Sequence, residues 1–298
     1  MCQIFLHKAE LIATYKYMIP KKLYRTVKCF ERLNRTEMGD YKQYWETMGV
    51  EVYDYTDEEV DAYVRGFLTG ESLEAYNNLR SITLRTDIWR LCVLYKEGGI
   101  YTDVHIRPLM NFIQIFDSNI EHVFVIDTLT CDKRVYNAVM MAKQRSALIG
   151  TMLERALLHI RNTVYTLNVL DITGPGVIGY VLRRAMNLKS SFTEGIYAFD
   201  NGRMLLLSHR SQQVEENERE FIMHEKQKVL QCRYDNYRQD MDYIGCDLRY
   251  CHYFYHHILY KQDYDALSNY MKTGVYRSHP ITIERILIER EMCEEYEE

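Results

Sequence analysis

The sequence predicts an α/β fold, a mostly parallel sheet flanked by helices with a helical C-terminal part. Three observations carry that expectation. Strand-like runs and helically spaced segments alternate as far as Met186. A long amphipathic segment, Ser81 to Glu97, ends on Gly98-Gly99 and runs straight into the strand-like Ile100 to Ile106. Hydrophobic residues make up 47% of 298 and charged residues 27%, enough apolar material for a sizeable core. One domain over residues 1–298 is expected, with a ligand-binding core at about 15–130 and a more helical part at about 131–298.

The elements follow in order. Ile4 to Tyr17 enters the fold as a short helix or strand. Ile19 to Thr26 reads as a turn into a strand, because Pro20 has no amide hydrogen for a ladder and suits a first position. Asp40 to Met48 is expected as a helix, with Tyr41, Tyr44, Trp45 and Met48 at helical spacing and Gly49 as its stop. Val50 to Tyr55 alternates as a strand does, and Asp57 to Phe67 follows as a helix capped by Thr56 or Asp57. Ser81 to Glu97 is the clearest helix: Leu84, Ile88, Leu91 and Tyr95 recur at i, i+4, i+7 and i+11. His122 to Ile126 is a short apolar run, expected as a buried strand ending at Asp127. Asn137 to Asn162 carries helical spacing. Gly174-Pro175-Gly176 turns into a helix from Val177 to Met186. Tyr197 to Leu207 is expected as two strands about an Asn201-Gly202 turn. Ser211 to Lys228, polar and charge-rich, is expected as a mobile loop with some helix. Val229 to Arg233 reads as a last strand, and the remainder as helix.

Composition narrows the function classes. The formal net charge is −5 and no basic stripe is present, which argues against a nucleic-acid partner. None of the eight cysteines forms a C-x-x-C pair, a usage that fits reduced thiols in a cytosolic setting. Cys246, Cys251 and His252 form the nearest thing to a metal-binding group of thiols. Tyrosine is abundant, with 26 residues; it suits carbohydrate and nucleotide surfaces, and a plain composition bias accounts for it equally. His7, Lys8 and Glu10 interrupt the N-terminal apolar stretch, so it does not read as a signal peptide. No window reaches the ~18 apolar residues of a spanning helix, which leaves peripheral membrane contact open.

The residues that carry chemistry lie between Leu84 and Pro108. On the helical wheel Asp87 falls at the edge of the apolar arc with Arg90 one turn on. A carboxylate there is costly unless it is paired or reaches a ligand; a helix-stabilising i, i+3 pair explains it as well. In a strand, Asp103 and His105 would point to the same face. A carboxylate and an imidazole two apart can meet one cation, with the imidazole tilting the choice from Mg²⁺ toward Mn²⁺.

Taken together, Leu84-Arg85-Thr86-Asp87-Ile88-Trp89-Arg90 and Leu94-Tyr95-Lys96-Glu97-Gly98-Gly99-Ile100-Tyr101-Thr102-Asp103-Val104-His105 resemble the sugar-binding region of DXD-containing glycosyltransferases. These include the Och1-like mannosyltransferases and, more distantly, the clostridial glucosylating toxins. The family pattern runs S/T-D-x-x-R, then L-Y-x-x-G-G-x-Y-x-D-x-D, and every element but the last acid matches; His105 stands in its place. Ile19-Pro20-Lys21 is similar to the family's opening I-P-K strand, with Tyr24 and Val27 where a His and a Trp are usual. Thr173-Gly174-Pro175 is similar to a later T-G-P segment, and Arg233 to Arg238 to an R-Y-x-x-Y-R segment.

The resemblance implies a GT-A type fold. Asp87, Arg90 and Asp103 would be the catalytic set. Asp87 and Arg90 would contact the donor sugar and its phosphates, Tyr101 the nucleotide, and Asp103 the ribose, sugar or metal. Tyr24 and Gly99 would complete the nucleotide-sugar site, and Asp103 with His105 would hold Mn²⁺ or Mg²⁺. Asp127, His209, His224 and Asp235 are further candidates for a metal or cleft role; His252, His256 and His257 read as structural or surface groups.

The expected function is a metal-dependent, retaining hexosyl- or pentosyltransferase. It would use a UDP- or GDP-sugar on a glycan or protein acceptor, in a bacterial cytoplasm or, for a viral protein, in the host cell. A non-catalytic nucleotide- or glycan-binding relative is the alternative. A metal-dependent phosphate-ester hydrolase fits less well, because such sites gather several carboxylates and histidines around two metals.

Overall fold

A computed structural model describes residues 19–115, 119–199, 202–214, 217–245 and 259–262. The expectations for Ile4 to Tyr17, for the C-terminal helical part beyond 245, and for Cys246, Cys251, His252, His256 and His257 lie outside the described residues.

Ten strands share one sheet among the described residues. In chain order they are β1 (Lys22–Thr26), β2 (Glu51–Tyr55), β3 (Gly99–Thr102), β4 (Arg107–Pro108), β5 (Ile120–Ile126), β6 (Val135–Ala142), β7 (Gly195–Phe199), β8 (Gly202–Val214), β9 (Asn217–His224) and β10 (Gln227–Gln231). They lie side by side as β2-β1-β3-β6-β5-β8-β9-β10-β4, with β7 on β8. The helices are α1 (Phe30–Leu33), α2 (Tyr41–Glu46), α3 (Asp57–Phe67), α4 (Gly70–Asn78), α5 (Ile82–Glu97), α6 (Ala147–Arg161), α7 (Pro175–Ala185) and α8 (Tyr237–Ile244).

The sheet is mixed, which corrects the mostly parallel expectation. Among the described residues only β1–β2, β1–β3 and β5–β8 pair parallel. The pairs β3–β6, β5–β6, β7–β8, β8–β9, β9–β10 and β10–β4 are antiparallel. The physical reason is that strand–helix alternation holds through β3 and then gives way to chain-adjacent pairs, β5–β6, β7–β8, β8–β9 and β9–β10, whose short connections force antiparallel neighbours.

The central strands are buried on both faces and alternate between two cores. Tyr24, Tyr101, Phe124 and Met140 face the helix-covered side with Leu84, Ile88 and Trp89 of α5. Leu23, Ile100, Val123 and Met141 face the other side with Trp45, Leu205 and Ile222. This two-sided burial explains why the stretch from Asn137 to Ala142 reads as helical in the sequence: a continuous apolar run has no period to distinguish helix from strand. It belongs to β6, and the helix begins only at α6, where the Ser146 hydroxyl caps the Ile149 N–H. Ser211 to Lys228 is likewise no loop. It supplies the end of β8, β9 and the start of β10, with Ser208 opposite Met223, Val214 opposite Asn217 and Gln227 opposite His224. Its polar residues sit on a ladder that satisfies the backbone whatever the side chains are.

Elsewhere the local signals hold. Thr56 and Glu59 form a reciprocal capping box on α3, and Ser81 caps α5. Gly98 and Gly99 turn the chain from α5 into β3 with φ of +67° and +101°. A Cβ on Gly98 would meet the Gln144 backbone nitrogen at 2.5 Å, and one on Gly99 the Lys22 carbonyl at 2.5 Å. Both glycines therefore serve close backbone packing as well as the turn. Cys29, Cys92, Cys131 and Cys232 are free thiols. No helix among the described residues is long and apolar enough to cross a membrane.

Candidate functional site

A cleft of about 750 Å³, including its open mouth, lies at the carboxyl ends of β1 and β3. Thr26 at the end of β1 and Lys28 just beyond it border the cleft, as do Thr83, Thr86 and Arg90 from one face of α5. Asp103, Val104 and His105 border it from the segment after β3, and Met241 and Ile244 from α8. That segment corrects an expectation. The strand stops at Thr102, and Asp103 to Ile106 is a turn closed by the Ile106 N–H on the Asp103 carbonyl at 3.1 Å. Asp103 and His105 thus reach the cleft from a turn rather than from one face of a strand.

Asp87 is 7% exposed and sits in a cradle of donors. Thr173 Oγ1 donates to it at 2.9 Å, Asn137 Nδ2 at 2.9 Å, and Arg90 lies 3.2 Å away. Burial raises its pKa above the ordinary carboxylate range, against the pull of Arg90 and of the Thr173 donor. Thr173 and Gly174 come from the T-G-P segment, and the packing explains the glycine: a Cβ there would lie 2.9 Å from Asp87 Oδ2 and 3.2 Å from Asn137 Nδ2. Sequence reasoning misses Asn137, because it sits in a run that reads as helix.

Arg90 is also buried, and it links the two acids. Its guanidinium lies 3.9 Å from Asp103, donates to the Asn137 carbonyl, and covers the Tyr101 ring at 4.4 Å. Its Nε has no hydrogen-bond partner among the described residues. Tyr101 is fully buried and donates its hydroxyl to Asp103 Oδ1 at 2.6 Å. Burial first, and the neighbouring Asp103, push the Tyr101 pKa well up despite Arg90, so it remains a donor. The Asp103 side chain is about one-third exposed and keeps a face to the cleft.

His105 is 6% exposed, with Nε2 3.4 Å from the Tyr136 hydroxyl and its ring against the edge of Tyr237 at 5.1 Å. Burial lowers its pKa, although Asp103 and Glu220 oppose the shift. The ring is therefore neutral near pH 7, the form that binds metal. His105 and the part-exposed Asp103 carboxylate both border the cleft, and imidazole and carboxylate are donor types that a divalent cation such as Mn²⁺ accepts. Among the described residues no group of three or more His, Cys, Asp or Glu side chains is arranged to hold a metal.

The other expected residues stand elsewhere. Tyr24 stacks on Tyr53 at 5.5 Å within the helix-side core and does not border this cleft. Gly99 packs against β1 behind Tyr24. Asp127 and His209 face each other away from the cleft lining, 4.0 Å apart. His224 ends β9 at its hairpin turn, and Asp235 is held by both nitrogens of an Arg219 fork at 2.9 and 2.7 Å. Thr83, Thr86 and Lys28 border the cleft without having been expected there. The two threonines have a legible signal, since they fall on the Arg90 face of the α5 wheel.

Comparison with known proteins follows the same residues. Residues 26–122 match the family model described as "Glycosyltransferase sugar-binding region containing DXD motif". No curated protein matches the chain. Among solved structures the chain is similar to one named "PaToxG Glycosyltransferase", with a TM-score of 0.41, 17% identity, and coverage of 63% of this chain and 77% of that one. The family match supports a role in glycosyl transfer. The stretch that carries Asp87, Arg90, Asp103 and His105 is thus where this chain is similar to the DXD-containing glycosyltransferases.

Proposed function

We propose that the chain is a metal-dependent, retaining glycosyltransferase of GT-A type that takes a sugar from a UDP- or GDP-sugar and passes it to a glycan or protein. The observation that carries this reading is that Arg90 and Asp103, 3.9 Å apart, border a cleft together with His105, with the buried Asp87 holding Arg90 from behind at 3.2 Å. Arg90 is held in place by Asp87, the Asn137 carbonyl and the Tyr101 ring, so its charge is pre-aimed at a leaving diphosphate. Asp103 and His105 would hold Mn²⁺ or Mg²⁺, which neutralises phosphate charge as the glycosidic bond breaks. Met241 and Ile244 of α8 supply an apolar wall to the cleft. Retention of anomeric configuration is taken from the resemblance; no side chain in the cleft is assigned as a nucleophile.

The test is release of nucleoside diphosphate from a panel of UDP- and GDP-sugars with Mn²⁺. Release is expected with at least one donor, with loss on chelation and on Asp103→Asn. Binding of nucleoside diphosphates without release across donors and acceptors would replace this reading with a non-catalytic relative, for which His105 in place of the second acid is the motive.

A further inference from the structure

Behind His105 lies a group of buried ionisable side chains that the cleft does not touch. Asp127 at the end of β5, His209 on β8 and Glu220 on β9 are 4%, 2% and 6% exposed. His209 Nε2 lies 3.1 Å from Glu220 and Nδ1 4.0 Å from Asp127. Glu220 is held further by Arg233 at 2.8 Å, and Asp127 accepts from Thr130. Burial disfavours charge on His209, but its contacts with Asp127, Cys232 and Glu220 overcome this and hold its pKa up at about 11. The two carboxylates on either side of the ring favour its charged form.

Two routes lead from this group to His105. His209 lies against the Tyr136 ring with centroids 4.1 Å apart and planes at 31°. The hydroxyl of that same Tyr136 is 3.4 Å from His105 Nε2. On the other side Arg233, bound to Glu220, covers the Tyr237 ring at 5.6 Å, and Tyr237 packs edge-on to His105 at 5.1 Å. Both tyrosines that meet His105 are therefore backed by a member of the same ionic group. A buried ion cluster is weak evidence for stability, and holding a geometry is its best-attested use.

We infer that Asp127, His209 and Glu220 form an anchor that positions the His105 ring at the cleft through Tyr136. His209 is a positioning residue and not a catalytic one. The use of that positioning in metal binding rests on the function proposed above; the positioning itself does not.

The experiment reads the His105 ring directly in the full chain, by nitrogen-15 side-chain spectra at pH 7, with His105→Gln used only to assign its signals. Tyr136→Phe removes one hydroxyl. The double variant His209→Gln/Glu220→Gln removes one charge of each sign. Each is expected to turn the single-tautomer His105 pattern into an averaged one, while the His122 and His159 signals stay in place as reporters of the fold. The pair Tyr136→Phe/His209→Gln is expected to match Tyr136→Phe alone, because His209 acts through that hydroxyl. Unchanged His105 signals in the double variant His209→Gln/Glu220→Gln, or effects that add in Tyr136→Phe/His209→Gln, would overturn the inference. If the double variant also loses the reporter signals, Asp127→Asn keeps the Glu220 contact and is judged by the same criterion. In the turnover assay Tyr136→Phe is expected to raise the Mn²⁺ concentration for half-maximal release about 10-fold, with kcat at saturating metal retained. A wild-type chain that releases no nucleotide would remove the proposed function and leave the spectra to decide the positioning.

Discussion

Thr173→Val isolates one contact of the Asp87 cradle. The two side chains are both β-branched and close in shape, and the site is fully buried. The substitution changes bulk little and deletes the 2.9 Å donor to Asp87 Oδ2. Asp87 keeps Asn137 and Arg90. A hydrogen bond to a charged group contributes about 1.5–3 kcal/mol, so the loss at pH 7 is expected near 2 kcal/mol. Urea unfolding followed by circular dichroism measures it, with the slope against denaturant unchanged because the exposed surface is the same. The pH dependence has a definite sign. Burial already raises the Asp87 pKa, and the donor stabilises the ionised form. Below that pKa the bond is neutral-to-neutral and worth only about 1 kcal/mol, so the gap between variant and wild type shrinks on acidification. A gap below about 0.5 kcal/mol at pH 7, or one independent of pH, would refute the cradle as a set of charge-assisted bonds.

Other consequences can be measured as directly. Gly98→Ala places a methyl 2.5 Å from the Gln144 nitrogen at φ +67°, and a destabilisation of about 3 kcal/mol or more is expected in thermal unfolding. His122 and His159 are buried neutral, with burial first and the cations Lys143 and Arg155 next lowering each pKa to about 4. Stability is then intact above the unfolded value near 6.5 and is lost as pH falls toward 4, by roughly 3 kcal/mol for each histidine; urea titrations at about pH 7 and 4.5 check the slope. His105 is also lowered by burial, so Mn²⁺-dependent nucleotide release is expected to persist below about pH 6.5. An acid limb centred above that value would remove His105 as the ligand.

What the sequence makes legible follows from physical scale. Caps and helix stops are local, so Thr56, Ser81 and the Gly98-Gly99 exit can be placed by inspection. The Asp87–Arg90 pair is legible too, as polar residues beside an apolar arc. Strand pairing is not, because it depends on partners far along the chain: β3 lies between β1 and β6, joined by no local signal. Burial on both faces erases the period of β6 and hides Asn137, the residue whose side chain holds Asp87 and whose carbonyl receives Arg90. Asp103 and His105 do meet at one cleft, but the expected reason fails in detail, since a turn brings them there and not strand alternation.

The Asp87 cradle also bears on autonomy. The stretch that matches the family model ends at residue 122, yet the partners of its aspartate include Asn137 and Thr173. The turn carrying His105 leads into β4, whose ladder partner among the described residues is β10 near residue 230. A fragment trimmed to the recognisable motif would carry Asp87 and Arg90 without the donors and the strand that seat them. On the ribosome, Asp87 waits 86 further residues for Thr173, and the turn carrying His105 waits for β10 near residue 230. The signature and the working unit are different lengths of chain.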